Sequence, residues 1–383
     1  MADEVLVYFG PRSAFKRNVE ANIGPTETTV KFLDSVRLYN EKVRASTLAT
    51  RNVEFDPSRG VDNCIVSADD FGSVASHVIP NFSNILEESY QHIGKLFVNN
   101  PPMRVLESIR ASQPEGSVEE AYYDYGSVQK GDLPRLCDAL RSGVLGQEQS
   151  KKALISELYK LSVMDDEKPS SVLLYGPSGV GKTETAQTLS EALGGGLLRV
   201  QFSMMQTEEA YNYLFGAEHS KASFARDLLG RESNVVLIDE FDKVSPRLYN
   251  MFYQLFDEGR YVDTNYDVDM RGSLFLLTSN FSSEAEARRA MGPAMFSRLS
   301  ACVAFTDLGA KEKVEIVTRR YNKVLSKLDK EDQLTIEESG ILRWFLDHVN
   351  RYDNMRTMKN KVDKAIFEKL SEPIINHGFP DSV

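Results

Sequence analysis

The chain has 383 residues, a length that suits two or three domains, and its 42% hydrophobic content is typical of a folded globular protein. Its formal net charge of −11 disfavours a general nucleic-acid-binding protein, because phosphate contacts need clustered lysine and arginine side chains.

The sequence shows no sign of a membrane or secreted location. It has no apolar run near the roughly 18 residues that a membrane span needs. Its first ten residues lack the basic-then-apolar layout of a secretion signal. The three cysteines, Cys64, Cys137 and Cys302, are widely spaced and odd in number, which is typical of reduced thiols rather than disulfides. We therefore predict a cytoplasmic protein with no membrane partner.

Residues 1–110 predict a small accessory domain of unknown fold. Residues 5–9 are apolar enough to form a strand, and residues 26–43 and 83–97 carry apolar positions at helical spacing. Such apolar faces are more typical of core packing than of a cofactor site.

Residues 111–132 predict a linker, because they mix proline, glycine, serine and acidic residues. Three tyrosines lie in this stretch, at 122, 123 and 125. They are compatible with a docking motif as well as with a partly packed linker.

From Leu133 onward, apolar strands alternate with helical stretches, a pattern that indicates a parallel α/β sheet. We predict strands over 172–175, 235–238 and 272–277, and each is followed by polar or glycine-rich residues. Ligands of such sheets bind at the carboxyl ends of the strands, so we expect these three sets of residues to converge.

The first of these strands runs into residues 176–183, a full match to the phosphate-loop pattern G-x-x-x-x-G-K-[ST]. Its glycines let backbone N–H groups turn towards a polyphosphate, and the helix predicted over 183–193 points its positive end at the same anion. Lys182 adds a charge for the outer phosphates, and the Thr183 hydroxyl suits Mg²⁺. The residues expected to contact the nucleotide here are Gly176, Pro177, Ser178, Gly179, Val180, Gly181, Lys182, Thr183 and Glu184.

The second strand ends in Asp239 and Glu240. We expect Asp239 to hold Mg²⁺, directly or through water, and Glu240 to orient and deprotonate the attacking water.

Further motifs lie on both sides of these residues. The stretch 144–147 (VLGQ) precedes the phosphate loop, and 255–270, Asn280, 296–299 (FSRL) and 354–356 (NMR) follow Glu240 in that order. In this order they resemble an AAA+ ATPase module over residues 133–378, most similar to the second ATPase module of Clp-type unfoldases such as ClpB and ClpA. The resemblance implies an α/β fold in which a P-loop AAA+ parallel sheet is flanked by helices. It places a large subdomain at 133–307 and a helical small subdomain at 308–383, beside the N-terminal accessory domain.

The same resemblance implies roles for individual residues. Leu145 and Gly146 would contact adenine, and Asn280 would be the first sensor, which polarises the attacking water. Arg298 would be an arginine finger that completes the site of a neighbouring subunit, and Arg356 the second sensor. The implied catalytic set is therefore Lys182, Glu240, Asn280 and Arg298, acting on ATP with Mg²⁺ in a homo-oligomeric ring, a hexamer by resemblance.

Two features of the family are missing from the sequence. The stretch 216–227 lacks the glycine–aromatic–hydrophobic–glycine loop that grips substrate in Clp-type unfoldases, and Phe224 is better explained as helix packing. Between Asn280 and Arg298 there is no apolar–Gly–apolar tripeptide of the kind that docks a protease. We therefore expect no protease partner.

Three functions remain open at this stage. The first is an ATP-hydrolysing protein-remodelling ring whose N-terminal domain selects a protein client or effector. The second is a nucleotide-gated scaffold or switch, which resembles torsins in lacking the pore aromatic. The third is a nucleic-acid-associated AAA+ helper, which the acidic charge balance disfavours.

Residues 360–363 (NKVD) spell the guanine-reading N-K-x-D pattern that resembles that of small GTPases. In those proteins the pattern follows a buried strand, whereas here it falls in a predicted helix. ATP is therefore the expected nucleotide.

Overall fold

The computed structural model describes residues 2–47, 60–164, 168–204, 207–352 and 354–378. The strands of this part of the chain are β1 (Ala2–Phe9), β2 (Thr29–Lys31), β3 (Gly60–Val66), β4 (His92–Asn99), β5 (Val118–Tyr122), β6 (Ser170–Tyr175), β7 (Leu198–Gln201), β8 (Val235–Asp239), β9 (Arg260–Val262), β10 (Asp267–Asp269), β11 (Leu274–Thr278) and β12 (Ala301–Ala304).

Its α-helices are α1 (Arg12–Asn22), α2 (Phe32–Thr47), α3 (Ala68–Gly72), α4 (Phe82–Ser89), α5 (Met103–Ser112), α6 (Leu133–Gly143), α7 (Glu148–Leu161), α8 (Lys182–Ala192), α9 (Thr207–Phe215), α10 (Phe224–Leu229), α11 (Asn250–Glu258), α12 (Glu284–Phe296), α13 (Ala310–Leu325), α14 (Lys330–Glu338), α15 (Ile341–Asp347) and α16 (Met355–Gly378). Among the described residues, no helix is both long enough and apolar enough to cross a bilayer.

Two five-stranded sheets organise the chain. The first has the order β2-β3-β4-β1-β5 and the second the order β12-β6-β11-β8-β7. We call the described residues between 2 and 125 the first lobe, those between 133 and 307 the second lobe, and those from 308 onward the small subdomain. A short antiparallel hairpin, β9–β10, lies between α11 and β11 in the second lobe.

The core of the second lobe lies on both faces of its sheet. Strands β8 and β11 are buried over their whole length, and β6 is buried up to Leu174, as the near-continuous apolar sequence of a parallel strand requires. Alternate residues face opposite sides: Leu173, Val236 and Phe275 join one hydrophobic cluster, while Val172 and Leu237 join the other. The strands predicted over 172–175 and 235–238 are thereby confirmed, and the strand predicted over 272–277 is present but begins two residues later, at Leu274.

The small subdomain is a cluster of helices, α13 to α16, with its own core around Tyr321, Ile336 and Met358. The 360–363 stretch lies inside α16 rather than after a strand, as expected. The predicted α/β architecture, a parallel sheet flanked by helices with a helical C-terminal region, is confirmed.

Two helix predictions in the first lobe are partly wrong. Residues 29–31 form strand β2, and the helix begins only at Phe32. The second prediction is a helix over residues 83–97. The part of it from residue 92 onward instead belongs to β4, which lies at the centre of the sheet, between β3 and β1. In both cases pairing with distant strands overrides a local spacing that also suits a helix.

The linker prediction for residues 111–132 is wrong at its centre. Residues 118–122 form β5, which pairs in parallel with β1 at the edge of the first sheet. Because β5 completes that sheet, the first lobe extends beyond residue 110 and ends near Tyr125.

Candidate nucleotide-binding site

A cavity of about 650 Å³ lies at the carboxyl edge of the second sheet, between the second lobe and the small subdomain. Its volume is within the usual range for a small-molecule site. Residues that follow β6, β8 and β11 meet in it, as the parallel sheet predicts. The predicted site residues that line it are Leu145, Ser178, Gly179, Val180, Gly181, Lys182, Thr183, Glu184, Asp239, Glu240, Asn280 and Arg356.

The loop between β6 and α8 takes its shape from three glycines in the left-handed region, Gly176 (φ 132°), Gly179 (φ 77°) and Gly181 (φ 108°). A Cβ atom on Gly176 would lie 2.1 Å from the carbonyl oxygen of Phe305, so no other residue fits there. The loop leads directly into the amino end of α8, where the first N–H groups have no partner within the helix. This arrangement is a cradle for an anion.

Lys182 is buried at the floor of this cradle, with only 7% of its surface exposed. Its Nζ donates hydrogen bonds to the carbonyl oxygens of Gly176 (2.6 Å) and Pro177 (2.7 Å). Burial lowers its pKa to about 8, although the carboxylates of Asp239 and Asp242 favour the charged form. A phosphate group would give this ammonium the close counter-charge that it lacks.

Asp239 lies at the end of β8 and is 7% exposed. Its Oδ1 accepts a hydrogen bond from Thr278 Oγ1, and its Oδ2 is paired with Arg199 Nη2. Thr278 Oγ1 also accepts a hydrogen bond of 2.9 Å from the backbone N–H of Glu240. The hydroxyl of Thr278 therefore ties the neighbouring strand β11 to both acidic residues.

Glu240 follows β8 in the left-handed backbone region (φ 56°), which is uncommon for a residue with a side chain. Such a conformation persists where the surroundings fix it, here through the bond from its N–H to Thr278. The turn places Glu240 among the residues that line the cavity. An unpaired carboxylate at this position can accept a proton from water.

The donor set around the cradle fits a magnesium ion held with a triphosphate. Thr183 and Asp239 both line the cavity and supply hydroxyl and carboxylate oxygens, the ligands that Mg²⁺ prefers. Such an ion usually keeps several waters and binds through one or two protein oxygens plus the phosphates.

The opposite end of the cavity is apolar, with Val144, Leu145, Leu308 and Ile316 among its lining residues. Gln147 holds this end together. Its side chain donates to Thr306 O (2.7 Å) and accepts from Thr306 N (3.1 Å), which joins the start of α7 to the chain after β12. An apolar slot beside a phosphate cradle suits a purine base.

The small subdomain contributes cations to the same cavity. Arg356 lines it, and the neighbouring Asn354 donates a hydrogen bond of 3.0 Å from Nδ2 to Ser178 Oγ in the phosphate loop. Further basic residues line this wall, namely Arg319, Arg320, Lys323 and Lys359.

Four of the predicted site residues are not among the cavity-lining residues of the described chain: Gly146, Gly176, Pro177 and Arg298. Gly176 and Pro177 instead shape the loop and accept the bonds from Lys182. Arg298 is bound elsewhere: its Nε lies 2.8 Å from Asp257 Oδ2, its Nη1 donates to Ala294 O (2.6 Å), and its guanidinium stacks 4.1 Å from the Tyr253 ring centre. The structure therefore separates Arg298 from the cavity of its own chain.

Arg199, which faces Asp239 from β7, is a residue of the site that no sequence motif marks. The same is true of the basic wall on α13, formed by Arg319, Arg320 and Lys323. Arg199 had no local signal, because it sits in a short strand whose pairing with β8 brings it to the site. In the sequence, these α13 residues look like an ordinary charged face of a helix. Only the packing of the small subdomain beside the phosphate loop brings them to the cavity.

The segment between β7 and β8 presents no gripping aromatic at Phe224. That side chain is fully buried and packs edge-on against Tyr261, with ring centres 4.9 Å apart. The interpretation of Phe224 as a helix-packing residue is confirmed.

Comparison with known sequences gives a consistent picture. Residues 167–335 match the sequence model of a family described as AAA domain (Cdc48 subfamily). The chain is 30% identical over 270 residues to the chaperone protein ClpB of Wolinella succinogenes, which covers 62% of this chain and 31% of that protein. It is also 30% identical over 281 residues to the ClpA homolog protein of Fuscovulum blasticum, in an alignment that covers 64% of this chain and 35% of that protein. The chain thus spans about a third of the length of the curated relatives it matches.

A solved structure described as a closed-state cryo-EM reconstruction of Hsp104 with ATPyS and FITC casein also aligns with the chain. The TM-score is 0.53 at 15% identity, and the alignment covers 98% of this chain and 89% of that chain. At this identity the likeness concerns the fold alone.

Proposed function

We propose that the chain, in which residues 167–335 match an AAA domain model and which is similar to the Clp chaperones, binds and hydrolyses Mg²⁺-ATP to remodel a protein partner. One observation carries the proposal: a single cavity gathers the phosphate loop, the Asp239–Glu240 pair, Asn280 and the cations of the small subdomain. Each of these groups has a task in phosphoryl transfer, which depends on positioning and charge stabilisation.

The roles divide by position. The loop amides and Lys182 bind the outer phosphates, and Thr183 with Asp239 holds the metal, which supplies charge neutralisation at those phosphates. Glu240 takes the proton of the attacking water, and Asn280 orients that water. Leu145 contacts the base at the apolar end of the cavity.

A ring assembly follows from the same proposal. Arg298 belongs to the catalytic set, yet it lies outside the cavity of its own chain, held by Asp257 and Ala294. We assign it to the site of a neighbouring subunit, where an arginine finger typically contributes about 10³–10⁵ in rate. Head-to-tail contacts of this kind close into rings, here a hexamer by resemblance to Clp proteins.

A non-threading scaffold is the second candidate, and the burial of Phe224 favours it. Because the aromatic side chain of Phe224 is buried in the core, position 224 offers no exposed aromatic residue that could grip a polypeptide. In this version ATP controls assembly, and the first lobe contacts a protein client or effector in the cytoplasm. Neither version requires a nucleic acid or a protease.

Substituting Glu240→Gln tests the hydrolytic half of the proposal. We expect ATP affinity to remain and phosphate release to fall by about 10²–10⁴-fold, because the amide cannot accept the proton of water. Filter binding and a phosphate-release assay measure the two quantities. Glu258→Gln, an exposed glutamate on α11, is the matched control and keeps wild-type turnover. Turnover at the wild-type rate in Glu240→Gln would remove Glu240 from the mechanism.

A second experiment separates the two candidates. ATP turnover that casein stimulates, together with unfolding of a fluorescent protein substrate, supports remodelling. Turnover that appears only when one co-purifying protein is added supports the scaffold.

A further inference from the structure

The two sheets have the same topology. When the five strands of each sheet are numbered in chain order, leaving out the separate β9–β10 hairpin, the second sheet reads 5-1-4-3-2, and the first sheet, read from the β5 edge, gives the same series. Every strand pairing in both sheets of the described chain is parallel. Helices connect the strands in both lobes. The first lobe is therefore a second copy of the fold that carries the candidate nucleotide site.

The equivalent of the phosphate loop is recognisable in the first lobe. Strand β1 ends at Phe9 and is followed by Gly10-Pro11, as β6 ends at Tyr175 and is followed by Gly176-Pro177. However, α1 begins two residues after Gly10, whereas α8 begins six residues after Gly176. The residues of the first lobe at positions equivalent to the open cradle of the second lobe therefore belong to helix α1.

The space for a phosphate is also filled. Gly10 N donates to Asn100 Oδ1 (2.8 Å), and Gly10 O accepts from Asn100 Nδ2 (2.9 Å). A Cβ on Gly10 would lie 2.4 Å from Tyr123 Cβ, and Phe15 is buried in a small aromatic cluster beside the turn. The backbone groups and the volume that would receive an anion are both occupied by the protein.

The lysine at the equivalent position confirms the difference between the lobes. Lys16 follows Gly10 by six residues, as Lys182 follows Gly176. Its side chain is 76% exposed and lies 3.6 Å from Glu20 on the same helix, whereas Lys182 is 7% exposed and lies in the cradle. Lys16 therefore has no enclosed anion position to serve.

The carboxyl edge of the first sheet contacts the second lobe instead. Asp69, which follows β3, pairs with Arg12 (2.6 Å) and with Arg226 on α10 (2.8 Å). Tyr125, which follows β5, donates to Leu229 O (2.9 Å) and stacks under the buried Arg231 guanidinium at 3.6 Å.

Two further contacts extend this interface. His219 Nε2 lies 3.0 Å from Val74 O, and the His219 side chain is buried. Met103 N donates to Asn265 O (2.7 Å) at the tip of the β9–β10 hairpin. We call residues 216–232, which bear most of these contacts, the docked segment.

We propose that the first lobe is a copy of the ATPase fold that binds no nucleotide, and that its ligand edge has become the surface that holds the docked segment. The chain then has one nucleotide position rather than two. The docked segment ends two residues before β8, the strand that carries Asp239 and is followed by Glu240, so the first lobe contacts the chain immediately before the two proposed catalytic acids. This inference concerns binding and architecture, and it is independent of whether the bound nucleotide is hydrolysed.

Nucleotide stoichiometry tests the first half. Calorimetric titration of the full chain with ATPγS and Mg²⁺ is expected to give one equivalent per chain in the wild type, none in Lys182→Ala and one in Lys16→Ala. Lys16→Ala is the matched control, because it removes the lysine at the same position of the other lobe. Two equivalents in the wild type, stoichiometric binding left in Lys182→Ala, or a loss in Lys16→Ala overturns the inference. No binding by the wild type would instead overturn the ATP site of the second lobe.

Hydrogen exchange tests the second half without any nucleotide. Asp69→Ala with His219→Ala removes one ion pair (Asp69–Arg226) and one partly buried hydrogen bond (His219–Val74) from the interface, and amides of the docked segment are expected to exchange about tenfold faster. Exchange in β6 remains unchanged, and Asp34→Ala, which breaks an exposed ion pair on α2, leaves the docked segment unaffected. Unchanged exchange of the docked segment in the double variant would refute the docking surface.

Discussion

At the scale of single residues, the candidate site holds its polar groups in fixed positions before any nucleotide binds. Lys182 is buried and donates hydrogen bonds to two carbonyl oxygens, and Glu240 occupies a left-handed backbone conformation. Asp239 shares its carboxylate between Thr278 and Arg199. In the proposed hydrolysis of ATP, such pre-organisation would stabilise the charge that develops in the transition state without requiring the site to rearrange.

The pKa of Lys182 leads to a prediction about proton uptake. Burial lowers it to about 8, and phosphate oxygens close to Nζ raise it on binding. Binding at pH 8 should therefore take up about half a proton per site, falling to about a tenth at pH 7 and rising towards one at pH 9. Calorimetric titrations in two buffers of different ionisation enthalpy measure the uptake.

The control for this prediction is Lys359→Met, which changes an exposed lysine of the same cavity and should leave the uptake intact. Binding heats that do not depend on the buffer at pH 8 would contradict the assignment to Lys182.

The glycines of the chain provide a second residue-scale prediction. Gly176→Ala places a Cβ 2.1 Å from Phe305 O, whereas Gly194→Ala, also at positive φ (90°), meets no atom within 4 Å. Gly194→Ala should cost about 1 kcal/mol in unfolding free energy from backbone strain alone. Gly176→Ala should cost more and abolish ATP binding. Urea unfolding and a nucleotide titration compare them, and equal costs would mean that the loop tolerates a side chain at 176.

At the scale of elements, the second lobe was predictable and the first lobe was not. The strands β6, β8 and β11 are short apolar runs followed by motif residues, so the sequence contains both the element and its end. Strand β4 lacks such a signal. Leu86, Tyr90, Ile93 and Phe97 recur at helical spacing. The change from helix to strand at residues 90–91 follows from pairing with distant strands, in which Ile93 lies beside Ala2 and Val61.

The same limit explains the misassigned linker and the missed residue Arg199. Strand β5 is polar and looks like a loop because it lies at the edge of its sheet, with one side open. Arg199 reaches Asp239 only through the pairing of β7 with β8. Sequence motifs mark the residues of a loop, whereas the partners of a strand are fixed by tertiary contacts.

Helix α11 leads to the element-scale prediction. Its Phe252 is fully buried and packs against Phe202, Phe224, Phe241 and Phe256. Phe252→Ala should lower the free energy of unfolding by about 3–5 kcal/mol, because it leaves a cavity among aromatic rings that cannot collapse. Urea denaturation measures the change. Leu334→Ala, a side chain that is 60% exposed, is the control and should cost below about 1 kcal/mol.

At the scale of the whole molecule, the proposed set of catalytic groups is not gathered in one cavity of one chain. The cavity is lined by the phosphate loop, the acids and the basic wall of the small subdomain, whereas Arg298, which follows α12, is not among its lining residues and is bonded to Asp257. If a neighbouring copy supplies this arginine, then each subunit has two separable contributions, a pocket and a finger. Turnover then depends on assembly as well as on the nucleotide.

Mixing two inactive variants tests this division. Arg298→Ala keeps its pocket but cannot complete a neighbour, while Glu240→Gln keeps its finger but has no base. Each should hydrolyse ATP at a small fraction of the wild-type rate when alone. In an equal mixture that exchanges subunits freely, about a quarter of the subunit contacts pair an intact pocket with an intact finger, so turnover should recover to about that fraction of wild type. The recovery should fall on dilution, because it requires assembly, whereas a site complete within one chain would show no recovery at any mixing ratio.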